Sequence, residues 1–238
     1  MKNLISLCTL LLLSVSLLAQ TPGTDENSSS PMPGDGDSPF SLEVSLGQSF
    51  GGGQSLVTAP GIKFRYFLNQ NMAIRVGLNY ASQKYEENFA ENGDGSGALG
   101  TVTMKMSSLE FKAGFEYHFA STKRLSPYVA LDIGLGSGSM SDEGNDSDGN
   151  SYNSNYNYSE EYKTSSFGTS LLAGMDFYIA QNLFIGAEFG FGMVWNTEKE
   201  GTYSWSDGTA SGSGTTPEHK NSATGIGSFG GIRLGWRF

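Results

Sequence analysis

The sequence predicts an all-β fold: a transmembrane, antiparallel, up-and-down β-barrel of eight strands with a filled lumen. Three observations predict it. Apolar residues recur with a period of two in eight separate stretches, as half-buried strands require. Beyond Gln20 there is no run of ~18 apolar residues, so no helical span is available. The chain holds 33 Gly and 12% aromatic residues but only 16% charged ones, where roughly 25% is usual for a soluble protein.

The elements follow in order. Lys2 precedes an apolar run from Leu4 to Ala19, which reads as a secretory signal peptide over residues 1–19. Cys8, the single cysteine, lies within it, so a processed chain would carry no thiol for disulfides or metal. Residues 20–38 are polar, Ser/Gly/Pro-rich and aromatic-free, and read as a disordered tail. The barrel is expected over residues 39–238.

Strand one, about 40–47, aligns Phe40, Leu42, Val44 and Leu46. Strand two, about 61–68, puts Ile62, Phe64, Tyr66 and Leu68 on one face and Lys63 and Arg65 on the other. After Asn69-Gln70-Asn71, strand three sets Ile74, Val76, Leu78 and Tyr80 against Arg75, Gly77 and Asn79. Strand four, about 101–119, opposes Leu109, Phe111, Phe115, Tyr117 and Phe119 to Glu110, Lys112, Glu116 and His118. Its early apolar residues Val102, Met104 and Met106 are out of phase, which a bulge near Ser107 and Ser108 or an extension beyond the bilayer would explain. Strand five aligns Val129, Leu131, Ile133 and Leu135. Strand six ends in Phe167, Leu171, Ala173, Met175, Phe177 and Ile179. Strand seven gives Leu183, Ile185, Ala187, Phe189, Phe191, Met193 and Trp195, and strand eight runs from Ala223 to Phe238.

The connections alternate in length. Those after strands two, four and six are short, whereas 86–100, 138–161 and 197–222 read as long loops. Short turns on one side and long loops on the other are usual for membrane barrels with an even strand number.

Glycines decide which face meets lipid. Gly77, Gly114, Gly134, Gly136, Gly168, Gly174, Gly186, Gly190, Gly192, Gly225, Gly227, Gly231 and Gly235 share the face that carries the charges. An eight-stranded barrel is only just wide enough for interior side chains, so charges crossing it need bare wall opposite. A lysine or arginine on the lipid face costs roughly 2–4 kcal/mol at the bilayer midplane. The inward set is therefore Glu43, Glu110, Glu116, Asp132, Asp176 and Glu188 with Lys63, Arg65, Arg75, Lys112, Arg233 and Arg237. Buried charges must pair, and this set is balanced although the chain carries a net charge of −10. A self-neutralising plug is the plain reading; a gated pore is the other. Tyr66, Phe67, Tyr117, Phe119, Tyr128, Phe177, Tyr178, Phe184, Trp236 and Phe238 at the turn side, with Tyr80, Phe167 and Trp195 at the loop side, are expected to form two interfacial girdles.

The chain ends on Phe238 with Ile232, Leu234 and Trp236 in phase before it. That ending resembles the sorting signal of outer-membrane barrels. With the signal segment, the eight strands and the loop asymmetry, the sequence is similar over about 39–238 to the small outer-membrane β-barrel family, the porin-like "outer membrane protein beta-barrel domain" group of Gram-negative bacteria. The resemblance implies a bacterial outer-membrane location with both termini periplasmic. It also implies contact with outer-membrane lipid and lipopolysaccharide, and recognition by the barrel assembly machinery. Members serve as adhesins, envelope anchors, stress-linked barrels and occasional lipid A enzymes, so function follows less directly.

Candidate chemistry is sparse. The acidic balance excludes nucleic acid, since a duplex binder needs a basic surface. His118 near Glu116 reads as a hydrogen-bonded rim residue. His219 with Glu218 and Ser222 suggests a nucleophile and base of the lipid A deacylase kind, on loop proximity alone. Asp146, Asp148 and Gly149 resemble a calcium loop, but the position of the bidentate glutamate holds Asn157. No metal or cofactor is therefore expected. Tyr152, Tyr156 and Tyr158 among Asn and Ser, and Tyr203 and Trp205 before an Asp207-Gly208 turn, have the composition of adaptable binding loops. The expectation is a non-enzymatic barrel with a structural or adhesive role through acidic, Tyr-rich outer loops toward an extracellular protein or surface ligand. A narrow channel is the alternative, and a lipid A-modifying enzyme the third.

Overall fold

The computed structural model describes residues 38–48, 59–92, 94–119, 122, 124–180 and 182–238. The signal segment and all of the expected tail but Ser38 lie outside the described residues. The strands are β1 (Phe40–Gln48), β2 (Ala59–Phe67), β3 (Met72–Ala90), β4 (Leu99–His118), β5 (Leu125–Ser147), β6 (Tyr152–Ala180), β7 (Leu183–Glu198), β8 (Gly201–Ser206), β9 (Ser211–Thr216) and β10 (His219–Arg237).

Antiparallel pairing runs β1–β2–β3–β4–β5–β6–β7–β10 and back to β1, a closed ring of eight strands. Closure removes every free edge from the lipid zone. At the seam Ser41 pairs with Arg237 and Leu46 with Ile232, and Phe238 exchanges backbone hydrogen bonds with Phe40. The extra segments β8 and β9 continue β7 and β10 upward, on the side of the long hairpins. Glu198 pairs with Thr164 and Thr202 with Glu161, four steps against three along β6. One residue is extra at Lys199 and Glu200, a bulge that reverses which side chains face inward.

The ring presents an apolar band outward. Leu135 is 60% exposed and Ile232 65%, a degree of apolar exposure that a soluble surface avoids and a lipid-facing one needs. The band ends at Tyr80, Leu109, Leu135, Phe167 and Trp195. Phe167 and Trp195 stack there with centroids 5.6 Å apart. At the turn side Phe40 stacks on Phe64 and Tyr66 beside the seam. Four aromatics of the expected lower girdle belong elsewhere: Phe67, Tyr128, Tyr178 and Phe184 point inward and are buried. Their odd-even phase puts them on the lumen face, where they wall the charges.

The expected long loops are largely strand. The β3–β4 hairpin pairs without interruption to Ala90 and Leu99, and the β5–β6 hairpin reaches Ser147 and Tyr152. β4 keeps one register throughout with both neighbours, so no bulge exists at Ser107 or Ser108. The phase change at Val102, Met104 and Met106 marks the level where the wall leaves lipid. Above it the outward face turns polar (Ser82, Lys84, Ser107, Lys105, Ser139, Ser141, Lys163), while the inward face takes Val102, Met104, Met106 and Met140 beside Glu87, Asp142 and Glu160. Among the described residues the pairing of β1 with β2 runs from Phe40 with Tyr66 to Gln48 with Ala59.

Glycine and aromatic residues pair across strands on the inward face. Tyr128 faces Gly174, Phe184 faces Gly235, Tyr158 faces Gly144, Trp205 faces Gly212 and Tyr203 faces Gly214. In each case a Cβ on the glycine would run into the partner's ring. The bare backbone lets the ring lie flat on the neighbouring strand.

Candidate functional site

Two regions gather polar or aromatic side chains. The first lies in the lumen, where alternation sends the strand charges inward. Lys63 Nζ donates to Glu188 at 2.8 Å. Arg75 reaches Glu188 at 2.8 Å, Glu116 at 2.7 Å and Asp132 at 2.6 Å. Arg65 joins Glu116 at 3.0 Å, Asp176 at 2.7 Å and Glu43. Arg233 joins Asp176 at 2.9 Å and Glu43. These pairs connect into one network. β2 lies opposite β6 in the ring and β3 opposite β7, so Arg65–Asp176 and Arg75–Glu188 cross the full diameter. Tyr128 donates to Glu188 and accepts from Arg233, tying the centre together.

Burial is nearly complete: Glu43, Arg65, Glu116, Asp176 and Arg233 have no exposed surface. Rings wall the Arg65 guanidinium, with Phe184 at 5.0 Å, Phe67 at 5.3 Å and Tyr128 at 5.9 Å. Arg237 sits one layer lower, over Phe67 at 4.6 Å, and donates to the Ser38 carbonyl at 2.7 Å. His118 is fully buried rather than at a rim; its Nδ1 meets Ser126 at 2.9 Å and its Nε2 meets Glu116 at 3.2 Å. Glu110 and Lys112 lie farther up the lumen. They pair with each other at 3.2 Å, and Asn79 donates to Glu110 at 2.8 Å. Between this pair and the network lies a cavity of about 20 Å³, lined by Lys63, Arg75, Asn79, Lys112, Asp132 and Glu188 among others. That holds about one water.

The second region is the inward face above the apolar band. Cross-strand rows there read Gln83–Met106–Met140–Tyr162, then Tyr85–Met104–Asp142–Glu160–Tyr203, then Glu87–Val102–Gly144–Tyr158–Trp205. Tyr158 donates to Asp142 at 3.3 Å, and Tyr162 donates to the Met140 sulfur. Burial and the neighbouring Asp142 push the Tyr158 hydroxyl up to about 12. Tyr156 and Trp205 stack nearly parallel, 13° apart with centroids at 6.4 Å. Of the aromatics expected to bind, Tyr156, Tyr158, Tyr203 and Trp205 meet on this face. Tyr152 instead pairs with Ser147 at the hairpin tip. Tyr85 and the three methionines complete the face unannounced. Their only sequence signal is the phase change itself.

The remaining candidates do not assemble. His219 shares the inward side of β10 in register with Glu198, whereas Ser222 faces outward with Trp195, and Glu218 pairs with Lys220 at 2.8 Å. Asp148 caps its own turn, accepting from Ser151 and Asn150 backbone nitrogens at 2.9 and 3.0 Å. Asp146 accepts from the Asn155 nitrogen at 2.7 Å. Among the described residues no three acidic or histidine side chains converge on a point a metal would occupy. At the seam, Ile232, Leu234, Trp236 and Phe238 all face outward and are at least half exposed.

The chain is similar in structure to a major outer membrane protein from Thermus thermophilus, at 12% identity over 84% of this chain and 99% of that one, with a TM-score of 0.47. It is similar also to the outer membrane protease OmpT from Escherichia coli, at 9% identity over 84% of this chain and 93% of that one, with a TM-score of 0.29. No curated protein matches the sequence. The family model described as outer membrane protein beta-barrel domain matches residues 48–195, well over half of the chain. With a closed ring of eight strands, an apolar outer band and charges turned inward, the chain belongs to that family and to the bacterial outer membrane.

Proposed function

We propose that this is a non-enzymatic barrel that holds a sheet above the outer membrane for attachment to an extracellular protein or surface ligand, with both termini on the periplasmic side. The observation that carries this reading is the continuation of β3–β6, β8 and β9 as paired sheet past the apolar band. A paired sheet presents side chains in fixed positions, which a mobile loop does not. The lumen supports the same reading against a channel, because diametric ion pairs fill the cross-section. The Ser/His/acid candidate read from the sequence is split between faces, which supports a non-enzymatic reading.

Two measurements test it. Purified protein in planar bilayers should show no stable open conductance; a sustained single-channel current would overturn the plugged reading. Cells displaying the protein should adhere to host matrix or neighbouring cells. Shortening all three tall hairpins to the level of Tyr80, Leu135 and Trp195 should abolish that adhesion while leaving the barrel folded. Full adhesion by the shortened barrel would refute the role of the sheet.

A further inference from the structure

Charge is sorted across the sheet above the membrane. Lys84, Lys105 and Lys163 all lie on its outer face, where Lys84 and Lys105 pair with Glu86 at 2.6 Å and Glu143 at 3.4 Å. The inward rows of the three hairpins hold Glu87, Asp142, Glu160 and Glu198 and no lysine or arginine, with His219 opposite Glu198 at the lowest of these rows. Glu87, Asp142 and Glu160 have no lysine or arginine partner among the described residues. Asp142 and Glu160 are direct cross-strand neighbours, an arrangement of like charges that destabilises a sheet.

The rings beside them are laid flat. Tyr158 covers Gly144, Trp205 covers Gly212 and Tyr203 covers Gly214. A ring resting on bare backbone turns its other face away from the sheet, and that π face attracts cations within about 6 Å of its centroid. Met104, Met106 and Met140 occupy neighbouring positions and supply soft, adaptable apolar surface.

We propose that this face binds an organic cation, a quaternary or alkylated ammonium group seated on the Tyr158, Trp205 and Tyr203 rings with its charge toward Asp142 and Glu160. The rings accept the apolar shell of such a group and the carboxylates its charge. An anion meets repulsion on every side. An inorganic cation finds only the two opposed carboxylates. The inference rests on the reading that the sheet stands outside the membrane, and it names what the sheet holds.

The test uses the full chain in phosphatidylglycerol nanodiscs, with choline and its uncharged carbon isostere 3,3-dimethylbutan-1-ol as probes. Saturation transfer from protein to the probe methyl protons should saturate with choline and be at least tenfold weaker with the isostere. Asp142→Asn with Glu160→Gln should weaken choline binding at least tenfold while raising the thermal midpoint of the free protein, because the like-charge opposition is gone. That rise also shows that the variant folds. Equal binding of both probes would overturn the charge selection, and no saturable transfer from choline would overturn the site. Unchanged adhesion in the double variant would leave the surface role standing and sink only the cation site, whereas loss of adhesion in shortened hairpins tests the role alone.

Discussion

Arg65 shows how much one side chain carries in this lumen. It is the shared cation of Glu43, Glu116 and Asp176, with no exposed surface and three rings around it. Removing one member of a buried ion pair costs about 3–5 kcal/mol, since the partner stays buried and unpaired. Arg65→Met should therefore destabilise the barrel by about that amount, read as a lower urea midpoint for loss of the heat-modifiable form. Adding Asp176→Asn should recover part of the loss. Tyr158 makes a different kind of prediction. Its folded pKa is raised from 10.0 to about 12, so the fold favours the neutral phenol. The stability it lends is full below pH 10 and is lost as pH rises toward 12. Ultraviolet difference titration should lose one late-ionising tyrosine on Tyr158→Phe.

At the scale of elements, the glycine–aromatic pairs and the bulge at Lys199 and Glu200 set which surface each strand shows. A Cβ on Gly235 would overlap the Phe184 ring, while one on Gly77 would find its nearest neighbour 3.7 Å away at Lys112. Gly235→Ala should cost about 1–3 kcal/mol through overpacking, and Gly77→Ala close to nothing, by the same urea assay. Deleting Lys199 should restore the phase of β7 through β8 and turn Tyr203 and Trp205 outward. With Trp195→Phe and Trp236→Phe in the background, acrylamide should then quench Trp205 more strongly than in the parent. These elements were unevenly legible. Lipid permits only apolar side chains outward, so every strand inside the band showed itself as alternation from Phe40 to Trp236. Above the band both faces tolerate polar residues and the phase reverses. Met104, Met140, Tyr158 and Tyr162 therefore read as loop or as a slip. The inward charges could be assigned from parity alone, but the partner of each could not. Arg65 meets Asp176 because β2 and β6 face each other across the lumen, which is a property of the closed ring.

For the molecule as a whole, the seam between β1 and β10 is the joint that closes the ring. Phe238 supplies both its terminal hydrogen bonds and an outward aromatic ring half exposed to lipid. Deleting Phe238 should lower the amount of heat-modifiable protein in the outer membrane, with the remainder degraded or held in the periplasm. Normal outer-membrane levels of the deletion would show that the seam closes without it.

The reversal of phase up the wall also acts as a waterline. Below Leu135 and Trp195 the outside of each strand is greasy; just above, Ser82, Ser107 and Ser165 begin, with Lys84, Lys105 and Lys163 two residues farther on. Sinking the barrel by two residues would drag Lys105 and Lys163 toward hydrocarbon, and floating it by the same amount would strand Leu109 and Leu135 in water. The molecule is thus moored at one depth around its tall side. The sheet above rides at a constant height over the membrane, and what it holds is met there at the same level on every copy.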